Sequence, residues 1–355
     1  MIQKYLYSIA FILLFTYHTA FSAQIEGGEI RVKSISTQSY DITVSLFLND
    51  QAIPKNIMVC LGNGETKIAN RTSYSSIPGT TGKSTATYQL SYMYPVAGAY
   101  QISAKIKGRF QQAVNLVNSP DNELFLWTVI NTNFENTTPE LPILEAKAGL
   151  KQKFTLNINP TDAEGDSVSF AIQKVSKSSL GTCGVRRLDY NYKYPNQVEE
   201  KGTFAIDQFG KKLIWTAPTK TGDYLFAFVM IEWRDGLKIS ETYREGIINV
   251  GILPGDEDAI PAYVYPETSS LISPDGQEAI TMTIEAYPVP TDNIVNVKVA
   301  SSKSSVITLQ VIDTKGRIHN QFTSPNQEVT VEYQFDLTKY PKGLYIVRAI
   351  GNAKS

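Results

Sequence analysis

The chain is poor in the side chains that carry most enzymatic chemistry. Its 355 residues include two histidines, His18 and His319, and two cysteines, Cys60 and Cys183. His18 lies in an N-terminal apolar segment, so a serine- or cysteine-histidine site would rest on His319 alone. Multi-histidine zinc sites are excluded outright. Charged residues are sparse (19%) and the formal net charge is -1, with no long basic run. Nothing here attracts nucleic acid or an anionic membrane surface over long range. Helical periodicity is also scarce, since few stretches hold apolar residues at i, i+3, i+4 for three turns.

Long apolar runs are missing beyond the start of the chain. Lys4, the apolar stretch "LYSIAFILLF" (residues 6–15) and the small residues of "HTAFSA" read as a secretory signal peptide over residues 1–22. Cleavage is expected after Ser22, with Ala20 at the -3 position, or after Ala23. The apolar run falls short of the ~18 residues that a spanning helix needs. "YLFAFVMI" (residues 224–231) is shorter still and reads as a strand buried on both faces, so no transmembrane helix is expected in the mature chain.

What the sequence has in abundance is period-two alternation. In "YDITVSLFL", Tyr40, Ile42, Val44, Leu46 and Leu48 share one face. "STQS" joins this run to "EIRVKSI" as a hairpin, and Asp235-Gly236 between two strand-like runs predicts a type I′ turn. A short motif recurs three times: Gly98-Ala99-Tyr100, Gly222-Asp223-Tyr224 and Gly343-Leu344-Tyr345. Each opens an alternating run. Glycine suits the tight turn, and the tyrosine can bury its ring while its hydroxyl bonds back to the loop backbone, as in a tyrosine corner.

The expected fold class is all-β: two tandem immunoglobulin-like β-sandwiches plus a small C-terminal β-sandwich. The expected domains cover residues 24–138 and 139–252, then a proline-rich acidic linker at 253–279, then 280–355. Cys60 ("NIMVCL") reads as a small apolar residue on a buried strand. Cys183 ("LGTCGV") falls in the next domain, so no disulfide is expected between them.

Three local patterns are candidates for sites. "GTTGKST" (residues 79–85) lacks the glycine of a phosphate loop, which would stand at Ile77, and reads as a polar loop. Asp162, Glu164 and Asp166 alternate around Gly165 and offer hard oxygen ligands for Ca²⁺, against the plainer reading of an acidic β-turn; no other cofactor is expected. Trp127, Tyr190, Tyr192 and Tyr194 are candidate stacking platforms for a sugar, with "DYNYKYPN" (residues 189–196) as the binding loop; core packing is the competing role.

Toward the C-terminus, "AYPVPTDNIVNVKV", "LQVIDTKGRI" and "FDLTKYPKGLYIVRA" together resemble the C-terminal sorting domain of type IX secretion system cargo. The matching positions are Tyr287, Pro288 and Pro290; Asp313 and Gly316; Asp336, Leu337, Gly343, Leu344 and Tyr345. Val289 stands where that family usually has asparagine. The preceding repeats resemble immunoglobulin-like repeats of secreted surface proteins of gliding bacteria, carried by Phe204, Asp207, Gly210, Trp215, Pro218 and Tyr224. These resemblances imply export through the periplasm and outer membrane with the type IX machinery as partner. They suggest a non-enzymatic passenger engaged in adhesion or scaffolding with surface polysaccharide or another surface protein. Alternatives are a carbohydrate-binding module and, more remotely, a carboxylate-based glycoside hydrolase.

Overall fold

A computed structural model of the chain describes residues 24–49, 53–77, 80, 82–116, 123–143, 145–208, 210–266, 282–313 and 317–352. The signal segment with Ser22, residue Gly316 and the later part of the linker lie outside the described residues. The chain is all-β. Among the described residues no helix is long and apolar enough to cross a membrane.

The first lobe contains β1 (Ile25–Ser36), β2 (Ser39–Leu48), β3 (Asn56–Cys60), β4 (Thr66–Ser76), β5 (Ser84–Met93), β6 (Ala99–Lys107) and β7 (Glu123–Asn131). They pair in the order β1-β2-β5-β4-β3-β6-β7. The alternation of β2 faces inward as its sequence requires, with Tyr40, Ile42, Val44, Leu46 and Leu48 all buried. The turn between β1 and β2 places Gln38 at φ 60.

The second lobe contains β8 (Lys147–Gly149), β9 (Phe154–Asn157), β10 (Ser167–Ile172), β11 (Ser176–Ser178), β12 (Arg186–Leu188), β13 (Thr203–Asp207), β14 (Lys212–Thr216), β15 (Gly222–Arg234) and β16 (Leu237–Gly251). The three-stranded sheet β13-β14-β9 packs against β10, β15 and β16 through Phe204, Trp215 and Tyr224, whose rings meet edge to face. Asp235 (φ 51) and Gly236 (φ 75) turn β15 into β16, both in the left-handed region that a type I′ turn needs.

The boundary expected at residues 138–139 does not separate two sheets. β16 pairs with β7 through Ser240–Thr242, and with β1 through Glu245↔Gly28 and Arg244↔Glu29. One strand of the second lobe thus closes the two ends of the first lobe's sheet, and a single hydrophobic core runs through both. Gly27 makes the closure sterically feasible: a Cβ there would lie 2.0 Å from the Glu245 carbonyl oxygen. Inside the seam, Arg109 donates Nε to Glu245 Oε1 (2.8 Å) and Nη2 to Oε2 (2.5 Å), both side chains being buried. The periodic pattern reports which face of a strand is buried but not which strand lies beside it, so this merger is invisible locally.

The merger also overturns the expectation for cysteine. Cys60, at the end of β3, is disulfide-bonded to Cys183, on the loop between β11 and β12, across 123 residues of sequence. That loop lies on the first lobe, where Lys105 Nζ donates to the Gly181 carbonyl (3.2 Å). Cys60 is buried, as its strand context suggested, and Cys183 is the exposed partner.

The described part of the linker is likewise not a free tether. Residues 253–266 run along the second lobe. Asp258 N donates to the Lys151 carbonyl (2.8 Å), Lys153 N to Asp258 Oδ2 (2.6 Å), and Asn196 Nδ2 to the Val264 carbonyl (2.8 Å).

The last domain contains β17 (Met282–Tyr287), β18 (Ile294–Asp313), β19 (Ile318–Thr323), β20 (Glu328–Asp336) and β21 (Tyr345–Asn352). The first half of β18 pairs with β17 and β20, and its second half with β19 and β21. One long strand therefore serves two sheets, with Val295, Val297, Val299, Ile307, Leu309 and Phe335 in a core of their own.

Candidate sites and the sorting domain

The aromatic loop forms from a local turn. Asp189 Oδ1 accepts from Asn191 N (3.0 Å), and a 3-10 turn at Pro195–Gln197 ends the excursion. Three of the four expected sugar platforms are consumed by packing. Trp127 is fully buried on β7, stacks on Tyr243 and donates Nε1 to Ser176 Oγ (3.0 Å). Tyr192 and Tyr194 are buried edge to face, and the Tyr192 hydroxyl donates to the Leu225 carbonyl (3.1 Å). They fill the space under the loop, which lacks the regular period that would have separated inward from outward positions. Only Tyr190 of the four is exposed (71%), with Lys174 Nζ 5.7 Å from its ring centre. It borders a cleft of about 430 Å³ that Tyr265, Gln327 and Glu328 also line.

The acidic turn brings Asp162, Glu164 and Asp166 together, with one carboxylate oxygen of each within 4.8 Å of the others. Asp166 N donates to Asp162 Oδ1 (2.6 Å), and Thr137 N to Glu164 Oε1 (3.1 Å). Arg234, at the end of β15, grips Asp166 with both Nε (2.9 Å) and Nη2 (2.6 Å). Glu232, two residues earlier, is a group that sequence reasoning missed. It is fully buried, and its Oε2 accepts from Asn136 Nδ2 (2.8 Å) and from the Ser240 hydroxyl. Burial, and then the contact with the Asp162 carboxyl, push the Glu232 carboxyl up to about 9. Its spacing from Arg234 in "IEWR" was the available signal, because it places both side chains on one face of β15.

The last domain is seated on the passenger by buried charge. The Arg186 guanidinium lies between two rings, 4.0 Å from that of Trp127 and 4.2 Å from that of Tyr287. It also donates to the Tyr287 hydroxyl (2.5 Å), Glu241 Oε2 (3.0 Å) and Glu285 Oε2 (2.9 Å). Burial alone would raise the Glu285 carboxyl; Lys298, Arg186 and Lys238 outweigh it and hold that carboxyl well below its ordinary value. Beside this seam, Ala99 N donates to the Val289 carbonyl (2.6 Å), and a Cβ on Gly98 would meet Pro290 at 2.6 Å.

Asp313, Asp336 and Tyr345 of the motif stabilise turns. Asp313 accepts from Arg317 N (2.9 Å) and contacts His319 Nε2 (2.9 Å), so the sole histidine of the last domain is engaged there. Asp336 accepts from Thr338 N (2.9 Å), Leu337 packs on the core, and Leu344 is 74% exposed. Tyr345 donates to the Pro341 carbonyl (2.8 Å), Tyr224 to that of Lys220 (2.9 Å) and Tyr100 to that of Val96 (2.7 Å). In all three the acceptor lies four residues upstream. The glycines are less uniform: Gly222 has φ 134, whereas a Cβ at Gly343 would meet nothing within 4 Å.

Residues 285–355 match the family described as the secretion system C-terminal sorting domain. No curated protein matches the chain. The terminal domain marks the chain as cargo of the type IX secretion system, exported to the cell surface or the extracellular space.

Proposed function

We propose that the passenger acts at the cell surface by binding, as an adhesive or scaffolding block. The observation supporting this reading is the fusion of both lobes through β16, reinforced by the Cys60–Cys183 bond. A rigid cross-linked block suits a load-bearing role outside the cell, where disulfides persist. Glycoside hydrolysis is a poorer fit. It needs two carboxyl groups flanking a sugar, and in the contacting pair Asp162/Glu232 the second carboxyl is fully buried. The test is a native strain whose passenger residues 24–252 are deleted while the signal segment and residues 253–355 remain. Loss of surface attachment and matrix formation is expected, and wild-type attachment would overturn the reading.

A second reading, glycan binding, is favoured by one observation, the exposed Tyr190 at the mouth of its cleft. Glycan-dependent quenching of intrinsic fluorescence that Tyr190→Ala abolishes would support it. Quenching that persists in Tyr190→Ala would remove it.

A further inference from the structure

We propose that Asp162 and Glu232, together with Glu164 and Asp166, hold a hard divalent cation of calcium's kind. Two buried oxygens carry the inference. Asp162 Oδ2 and Glu232 Oε1 are each out of reach of any hydrogen-bond donor, although the two carboxyl groups touch each other. Buried carboxylate oxygens are costly without a compensating positive group. Other acceptors in the cluster are served. Asp162 Oδ1 and Glu164 Oε1 take backbone amides, Glu232 Oε2 takes Asn136 and Ser240, and Asp166 takes Arg234. The two unserved oxygens belong to carboxyl groups in contact with each other. A shared proton would link the two oxygens but add no positive charge against Asp162, Glu164 and Asp166; a divalent cation would satisfy both oxygens and offset that charge.

The donor set selects the ion. All four side chains present oxygen, with no sulfur or imidazole among them, which suits Ca²⁺ and not zinc or copper. Asp162, Glu164 and Asp166 against the single Arg234 leave a surplus of negative charge that a doubly charged ion largely cancels. Glu164 is exposed at the solvent-facing side, so the ion has a path in, and water completes the coordination. The cation would pin β15 to the turn before β10 and to Asn136, between the lobes. This inference does not depend on what the passenger binds.

The test uses the full secreted chain, stripped with EDTA and dialysed, then titrated with CaCl2 by calorimetry and melted with and without 10 mM CaCl2. The expected result is one site with a dissociation constant on the order of 0.1–1 mM, and a melting temperature raised by about 3–10 °C. Glu232→Gln keeps the shape and removes one carboxylate ligand; it should weaken binding at least about tenfold while melting no lower than the parent in EDTA. Glu164→Gln, on the exposed side, should fold normally and weaken binding by a smaller factor. No calcium heat and no thermal shift in the parent would overturn the proposal. So would binding unchanged in both variants.

Discussion

Removing the Cys60–Cys183 bond tests the central structural finding, that the two passenger lobes are one cooperative unit. The bond closes a loop of 123 residues. In the chain-entropy account, freeing a loop of that length from the unfolded state costs about 5 kcal/mol of stability. The side chains themselves contribute little, because Cys183 is exposed and Cys60 replaced by alanine loses a single buried sulfur. The double variant Cys60→Ala/Cys183→Ser should therefore lose about 3–5 kcal/mol. For a block of this size that corresponds to a fall of about 10–15 °C in melting temperature.

The assay is guanidinium unfolding followed by tryptophan fluorescence, with reduced wild type as a second control. Trp127 and Trp215 lie in different lobes, and both are buried. One transition reported by both is expected. The reasoning depends on the loop being released in a single event. If the lobes unfolded independently, the bond would only tether one to the other, and its removal would change the stability of each by less than about 1 kcal/mol. That result, or two separate transitions, would refute the shared-core interpretation.

The same seam predicts that Arg109→Met costs about 3–5 kcal/mol in urea unfolding, because Glu245 is left charged and buried; Arg109→Met/Glu245→Gln should recover most of it. Tyr224→Phe should lose about 1 kcal/mol with the bond to the Lys220 carbonyl, and no loss would mean that the ring alone makes the corner. At the sorting-domain seat, the depressed Glu285 carboxyl contributes stability that is present above its unfolded value of about 4.3 and is lost only as pH falls through its lower folded value. The exchange protection of the Ala99 amide, bonded to Val289, should thus hold from pH 7 to pH 5 and fall at pH 7 in Glu285→Gln; loosening of the wild type within that window would contradict the assignment.

Which parts of this architecture the sequence discloses follows from the range of each interaction. The inward face of β2, the Asp235-Gly236 hairpin and the three tyrosine corners are decided within a few residues, and all are written in local pattern. The partners of β16 are not. Glu245 meets Gly28 across more than two hundred residues, and no periodicity encodes that pairing. Cys60 and Cys183 illustrate the consequence, since assigning them to separate domains removed the disulfide before geometry was considered. The aromatic loop failed for another reason. Tyr190, Tyr192 and Tyr194 share a spacing of two, yet the turn at Asp189 and the turn at Pro195 break the strand geometry that would put them on one face. Glu232 shows the reverse: an acid beside the apolar run of "FVMIEWR" is visible in the sequence, and it is the charged side chain that β15 buries fully.

The residues by which the terminal domain is recognised are mostly those its fold requires. Asp313 and Asp336 fix turns by accepting backbone amides, Tyr345 forms the corner before β21, and Leu337 enters the core. Tyr287 is recognisable too, but its ring and hydroxyl are engaged by Arg186 within the seam. A side chain occupied in this way is not available to a partner while the domain stays seated. Leu344, just before β21, and Ile346 and Ile350 on it are among the apolar side chains that the folded domain exposes. The motif therefore specifies a shape, because most of its described residues are spent on turns, core and the Arg186 seam.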